Sequence, residues 1–278
     1  MFCPACGAKS ANPNARFCMG CGQALPGGAP AAAPAPVAPL PPLKVSVEHG
    51  PTFTVATVHL EANQSVRAES GAMIAMSAHI HLDAKMEGGV MSALKRAVAQ
   101  ESFFQTTFTA KGAPGEVLFA PAAPGDIVPL ELKGNRYIVQ SSSFLASSVA
   151  LRLDTQLAGF KGFFGGEGLF FLEVSGSGTL LVSTFGGVVR KTLAAGERFV
   201  VDTGHIVAFE STVRYQLRKA SRAGWWASIK SGEGVVAEYE GPGEILLQTR
   251  NLQALALSLW PYLPRPQPTS VGGLLSSG

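Results

Sequence analysis

Short runs of apolar residues, separated by glycines and polar turn residues, dominate the chain from Leu43 onward. Clear examples lie at residues 169–174, 180–183 and 245–248. Apolar runs of this length between turn residues are typical of strands rather than helices. The 32 glycines and 19 prolines among 278 residues also favour a folded protein with many turns. We therefore predict an all-β main domain over residues 43–264, followed by a flexible tail at 265–278.

Comparison of the chain with itself predicts an internal repeat. Glu101, Glu167 and Glu233 each precede an apolar run, a glycine turn and a second apolar run, and successive starts are 66 residues apart. A companion element before the first and third of these hairpins contains Gly71 and Gly204 at corresponding positions. One such unit cannot bury its own hydrophobic face, so we predict about three repeated β units that form two packed sheets. A chance similarity between glycine turns is the alternative.

Helical spacing of apolar residues occurs in only two segments of the main domain. At residues 90–99 the apolar positions recur on one face, and a second helix is predicted at residues 251–259. The first helix follows two glycines, so it is either a mobile flap between strands or a cover for a sheet edge.

The N-terminal residues contain two CxxC motifs separated by eleven residues. Their members are Cys3, Cys6, Cys18 and Cys21. Two residues between cysteines let one tight turn direct both thiolates at a single ion, and two such turns complete a tetrahedral Zn²⁺ site. We predict a structural zinc ribbon at residues 1–25, because four sulfur ligands leave no coordination position open for chemistry. Two disulfides or four free thiols are the alternative.

A proline- and alanine-rich segment at residues 26–42 follows the predicted ribbon. It contains seven prolines and six alanines, a composition that favours an extended linker and cannot form a core. The net charge of +3 is too small to indicate a nucleic-acid or membrane partner by itself. We predict no transmembrane segment, because glycines and serines interrupt the longest uncharged stretch, and with no secretion signal the expected localisation is cytoplasmic.

A basic, aromatic segment at residues 214–230 is the best candidate for binding an anionic partner. Its cations and rings are Arg214, Tyr215, Arg218, Lys219, Arg222, Trp225, Trp226 and Lys230. Cations beside flat rings suit nucleic acid or anionic lipid headgroups, whereas a solvated hairpin with core tryptophans is the simpler interpretation. Phe160, Phe163 and Phe164 are a second candidate, either as a subunit interface or as part of the domain core.

The sequence offers little support for catalysis. It contains no GxSxG, P-loop or HExxH motif, so we predict a protein that is not an enzyme. His79 and His81 would share one face of a strand with Asp83, a spacing that suits a metal but is also common on solvated strands. His205 lies in the repeated turn, where we expect a structural role.

Several segments of the main domain resemble the altered-inheritance-of-mitochondria family, also called the mitochondrial biogenesis family. The matching segments are residues 71–76, 101–110, 124–132, 143–148, 159–186, 200–210 and 241–250. This resemblance implies an all-β fold like that of the tryptophan RNA-binding attenuation protein, built of repeated units and prone to self-associate. The mitochondrial relatives are linked with inner-membrane organisation, and the family provides no catalytic residues to transfer.

Three hypotheses of function follow from these observations. The first is a non-enzymatic homo-oligomeric scaffold whose zinc ribbon contacts an unknown protein partner. The second is an RNA- or DNA-binding regulator that uses residues 214–230. The third is peripheral binding to anionic membranes through the 90–99 helix and the phenylalanine run.

Overall fold

Strands dominate the secondary structure of this protein. The computed structural model describes residues 41–84, 105–157, 170–219 and 235–263, together with Phe2, Cys6 and Gly7. The chain divides into two units, Met1–Leu40 and Pro41–Gly278, and the described strands all belong to the second. These residues contain seventeen strands and one α-helix, which confirms the prediction of an all-β main domain.

The strands are numbered in chain order. They are β1 (Lys44–Glu48), β2 (Val55–Leu60), β3 (Ser65–Glu69), β4 (Met73–Met76), β5 (Ile80–Ala84), β6 (Gln105–Ala110), β7 (Gly115–Phe119), β8 (Ile127–Gln140), β9 (Phe144–Ser148), β10 (Arg152–Leu157), β11 (Phe170–Ser183), β12 (Val188–Leu193), β13 (Arg198–Asp202), β14 (Ile206–Glu210), β15 (Arg214–Lys219), β16 (Val235–Glu240) and β17 (Gly243–Gln248). The helix α1 spans Leu252–Leu259, one residue shorter than predicted, and short 3-10 turns occupy Ser141–Ser143, Thr203–His205 and Trp260–Tyr262.

Alternation of apolar and polar residues explains why these segments form strands. In β6 the side chains of Thr106, Phe108 and Ala110 are buried, and the residues between them are partly exposed. Successive side chains of a strand point to opposite faces, so this period of two buries one face. The phenyl rings of Phe108 and Phe119 then meet edge to face, with 5.4 Å between centroids.

The strand pairing repeats three times along the chain. The first unit comprises β2 to β7, the second β8 to β11, and the third β12 to β17. Each unit contains six strand segments, since β8 and β11 each supply two. In every unit the first and third segments flank the sixth, as in β2-β7-β4 and β12-β17-β14, and we call this the A sheet. The second and fourth flank the fifth, as in β3-β6-β5 and β13-β16-β15, and we call this the B sheet.

Consecutive units are joined by one strand pair each, which we call a junction. The second strand of one unit pairs antiparallel with the third strand of the next, as β3 with β9 and β8 with β14. These junctions, together with the long strands β8 and β11 that run through both sheets of the second unit, fuse four of the six unit sheets into a ten-stranded sheet, beside a four-stranded and a three-stranded sheet. The prediction of two packed sheets was therefore wrong, because pairing between units is invisible in the pattern of a single unit.

Each unit encloses its own cluster of buried apolar side chains, and the clusters extend across the junctions. The first core includes Val58 and Phe108 from the first unit, together with Leu145 from β9 of the second. The second core likewise takes Val207 from β14 of the third unit. A junction therefore contributes buried apolar contacts as well as backbone hydrogen bonds.

A close backbone contact brings the starts of the three units together. Gly125 forms parallel bridges with Phe53 on one side and Gly186 on the other, and these residues precede β8, β2 and β12. A Cβ atom added at Gly125 would clash with the carbonyl oxygen of Thr184. Glycine is required here because two backbones approach more closely than any side chain allows.

Helix α1 is attached to the third unit by its N-cap. Asn251 Oδ1 accepts hydrogen bonds from the backbone N–H of Gln253 at 2.9 Å and of Ala254 at 3.2 Å. The Asn251 side chain also packs where a Cβ of Gly204 would stand, so a larger residue at 204 would displace the cap. Gln248 Nε2 donates to the Gly204 carbonyl at 3.0 Å and fixes this corner.

Candidate interaction surface

The basic segment begins on β15, and the neighbouring strand β16 carries acidic residues that pair with it. Arg214 Nη2 donates a hydrogen bond to Glu240 Oε1. On the other side of β16, Arg198 Nε lies 3.3 Å from Glu240 Oε2, and Arg198 Nη1 lies 3.4 Å from Glu238 Oε1. One arginine on each outer strand, β13 and β15, therefore pairs with the glutamates of the central strand β16. Their formal charges cancel, which weakens the attraction of this face for a polyanion.

A pocket of about 150 Å³ lies among these charged side chains. It is lined by Arg198, Arg214, Tyr215, Gln216, Glu238 and Glu240. The linear sequence suggested an uninterrupted basic stretch because both glutamates lie more than twenty residues downstream of Arg214. Strand pairing brings them opposite the arginines.

Tyr215, the one described aromatic residue of the basic segment, packs inward. Its ring lies 5.2 Å from the ring of Phe209 and 5.9 Å from that of Phe171, and it stacks on Tyr239 at 6.1 Å. Burial raises the pKa of the Tyr215 hydroxyl. This ring packs against the core of the third unit, the third core, which includes Phe171, Phe209 and Tyr239, and it is not positioned to stack on a nucleic-acid base.

Most of the other predicted site residues lie outside the described residues. Arg218 and Lys219 are on β15, but nothing is described of their side chains. Cys6 is the one described member of the predicted zinc site, and its side chain is exposed. Those outside are Cys3, Cys18, Cys21, Phe160, Phe163, Phe164, Arg222, Trp225, Trp226 and Lys230, as are the predicted helix at 90–99 and the tail.

Two of the described histidines donate a hydrogen bond to a backbone carbonyl. His79 Nε2 donates to the Pro114 carbonyl at 3.0 Å, and His205 Nδ1 donates to the Gln248 carbonyl at 2.8 Å. Within the ranges that the structure describes, no three His, Cys, Asp or Glu side chains converge as a metal site. His205 thus stabilises the corner from which α1 starts.

Two strand edges form an interaction surface that the sequence analysis missed. Among the described strands, β4 pairs with β7 alone and β13 with β16 alone. In the two other units the equivalents of these strands form the junctions. Ile74 on β4 is 55% exposed, and Val200 on β13 is 49% exposed. Ordinary surface edges are blunted by charge or covered, so exposed apolar side chains on unpaired edges make β4 and β13 candidates for contact with another chain.

Helix α1 adds a second uncovered apolar surface. No residue of the helix is buried, and Leu252, Leu255 and Leu259 are all exposed. Trp260 and Tyr262 in the following 3-10 turn are also exposed. No helix of the described chain is both long and apolar enough to cross a membrane.

Repeated β units joined edge to edge define the class of this β domain, and β4 and β13 are the two junction strands whose outer edge stays open among the described residues. The model of the family "Mitochondrial biogenesis AIM24" matches residues 45–250, and the chain belongs to this family. An uncharacterised protein of Streptococcus pyogenes serotype M6 is 33% identical over 232 residues, which cover 80% of this chain and 92% of that protein. A crystal structure of a Streptococcus pyogenes protein matches with a TM-score of 0.69 and 30% identity, covering 80% of this chain and all of the other.

Proposed function

We propose that this protein is a non-enzymatic scaffold that self-associates through its β domain and presents the N-terminal zinc ribbon to a protein partner. The uncovered apolar side chains on β4, β13 and α1 are the observation that carries this proposal. Burying such surface between chains is favourable by about 25 cal/mol per Å². The attenuation-protein-like fold belongs to the same proposal, since the family resemblance implies a fold of repeated β units that is prone to self-associate.

The zinc ribbon is the recruiting module of the proposed scaffold. A four-cysteine site would hold Zn²⁺ for structure alone, so its surface is available for contact with a partner. The proline-rich linker at 26–42 would let the ribbon search a volume around the β domain. Purification of the native assembly from cells, followed by identification of what travels with it, tests this role. Loss of the same partner from a Cys18→Ser variant would support the ribbon as the contact.

Membrane-associated organisation is the proposed setting of the scaffold. The uncharged, exposed helix α1 and the aromatic turn after it resemble surfaces that lie in a membrane interface. Vesicle co-sedimentation with anionic and neutral lipid tests it. If the protein sediments with neither kind of vesicle, membrane association is excluded, whereas the proposed self-association is unaffected.

RNA or DNA binding through residues 214–230 is the second proposed function, favoured by the number of cations in this segment. Because Arg214 is paired with Glu240, binding of nucleic acid would depend on the other cations of the segment, Arg218, Lys219, Arg222 and Lys230. The test is replacement of Arg218, Lys219 and Arg222 by alanine, followed by salt-dependent binding to RNA and DNA. Unchanged binding would exclude this segment as the site.

Light scattering on the purified full chain tests self-association directly. A molar mass of more than one chain at micromolar concentration would support the proposed scaffold. A stable monomer of 28.9 kDa would overturn it.

A further inference from the structure

The two junctions within the chain follow one rule of register. The penultimate residue of the second strand lies opposite an alanine of the next unit's third strand, as Ala68 opposite Ala146 and Val139 opposite Ala208. Each junction aligns only three residue pairs. By position in their strands, Val201 of β13 and Ala75 of β4 are the third such pair. Short edges of this length are therefore sufficient for a junction in this fold.

Three equivalent alanines identify the third strands with one another. Ala75, Ala146 and Ala208 lie opposite Leu118, Leu181 and Leu246 of their own units. In all three strands the register shifts at the residue just before the alanine, which is the position of a β-bulge. The repeat therefore extends to a local irregularity of the backbone.

The bulge residues show what a junction does to its strand. Leu145 and Val207 occupy the bulges of β9 and β14, are 0% exposed, and belong to the cores of the preceding units. Ile74 occupies the same bulge in β4 and is exposed because no described strand covers it. Ile74 is thus an aliphatic residue at a position where its equivalents, Leu145 and Val207, enter the core of a neighbouring unit.

The receiving edge on the third unit is open in the same way. Val66 of β3 and Tyr137 of β8 are buried beneath their junctions, whereas Phe199, at the corresponding place in β13, is 37% exposed. Val201 belongs to the core of the third unit, as its equivalents Ala68 and Val139 belong to the cores that contain Leu145 and Val207. Neither β4 nor β13 reaches a junction partner within the described chain.

We infer that the missing junction forms between copies of this chain. β13 of one copy pairs antiparallel with β4 of the next, Val201 lies opposite Ala75, and Ile74 enters the third core of the neighbouring copy. This inference rests on the proposed self-association and gives it a specific interface. The contact is heterologous, because the two surfaces differ, so each copy has one donor edge and one acceptor edge.

Lysine substitutions on the two edges test this arrangement in the full-length chain. Ile74→Lys and Phe199→Lys each place a charge where the junction buries apolar surface, since Leu145 and Val207 match Ile74 and Val66 and Tyr137 match Phe199, and both sites are exposed in the single chain. Light scattering is expected to show each variant as one chain of 28.9 kDa, against several for the unmodified protein. Leu82→Lys is the matched control, since Leu82 is 45% exposed on β5, and it should assemble like the unmodified protein.

Mixing the two variants distinguishes this interface from every symmetric one. The Ile74→Lys chain keeps its β13 edge, and the Phe199→Lys chain keeps its β4 edge. An equimolar mixture is therefore expected to form a complex of two chains that grows no further. The double variant carries a lysine on both edges and should therefore remain a single chain. A cooperative thermal unfolding transition in each variant confirms that it is folded, and any midpoint difference from the assembled protein should shrink on dilution.

Three results would overturn the inference. If either single variant keeps the mass of the unmodified assembly, the edges are not the interface, although the proposed self-association stands. If the mixture of variants stays monomeric, the contact is not between β4 and β13. If the unmodified chain is itself a monomer at micromolar concentration, both the interface and the proposed self-association fail.

Discussion

Ile74 and Leu145 occupy the same β-bulge in successive repeats, yet Leu145 is completely buried and Ile74 is exposed. The difference arises from the neighbour of each strand, because β9 lies against β3 of the preceding unit and β4 begins the series. The same apolar position therefore serves the core in one unit and a free edge in another.

Alanine substitutions at these two positions should have very different effects on folding. Leu145→Ala leaves a cavity in the first core and is expected to lower the free energy of unfolding by about 3 kcal/mol. Ile74→Ala should change it by no more than about 0.5 kcal/mol in dilute solution, where chains are separate. Urea denaturation of the two variants measures both. A large loss for Ile74→Ala would show that β4 is covered within the chain.

Gly125 should tolerate no side chain. Gly125→Ala forces a methyl group against the Thr184 carbonyl oxygen, and we expect a loss of about 3 kcal/mol in the free energy of unfolding. Gly187→Ala is the control, because the nearest atom to its added Cβ is 3.8 Å away. Similar denaturation midpoints for the two variants would contradict the close approach at Gly125.

Alkaline pH should destabilise the domain through its buried tyrosines. Burial, reinforced by the nearby carboxylates of Glu210 and Glu244, raises the pKa of Tyr137 to about 12. Because an unfolded tyrosine titrates near pH ~10, the folded state favours the neutral phenol. That stabilisation is complete below about pH 10 and is lost as the pH rises from about 10 to about 12.

The variant Tyr137→Phe isolates this effect. Its free energy of unfolding, measured at intervals from neutral to alkaline pH, should fall less steeply above about pH 10 than that of the unmodified chain. The comparison at neutral pH gives the separate cost of losing the tyrosine hydroxyl. Parallel pH profiles for the two proteins would contradict a buried, neutral Tyr137.

Zinc should be bound by the N-terminal cysteines and should leave the β domain's stability unaffected. We expect one Zn²⁺ per chain by elemental analysis, and its loss in the Cys18→Ser variant, because a tetrahedral site needs all four ligands. The thermal midpoint of the β domain should stay unchanged, since its cores consist of residues from Leu43 onward. A lowered midpoint would show that the ribbon stabilises the domain.

Removing the acidic partners should expose a positive surface. The double variant Glu238→Gln and Glu240→Gln leaves Arg198 and Arg214 without their carboxylates, so salt-sensitive retention on RNA should increase. These pairs are at the surface, and the free energy of unfolding should change by less than about 1 kcal/mol. Unchanged retention would show that this face does not contact nucleic acid even when positively charged.

The repeat and the strand content could be predicted because both depend on local pattern. The 66-residue spacing of Glu101, Glu167 and Glu233 located the hairpins that the structure places at β6-β7, β11 and β16-β17. The helix predicted at residues 251–259 is present as α1, which begins one residue later because Asn251 is its N-cap.

The missed features depend on which strands become neighbours. Arg214 looked like a free cation because Glu240 is distant in sequence, and Tyr215 looked accessible because its ring contacts lie on other strands. The exposure of Ile74 was equally hidden, since its equivalents Leu145 and Val207 have the same apolar character in the sequence. Pairing between units decides these three environments.

The long strands β8 and β11 bear on how such an assembly would respond to force. They are paired over twelve residue pairs, while each junction has three. A pull along the strands would load those twelve pairs together, whereas every junction, within a chain or proposed between copies, has only three pairs to share the load. Under tension the junctions would therefore separate first, while β8 and β11 keep the middle of each chain paired.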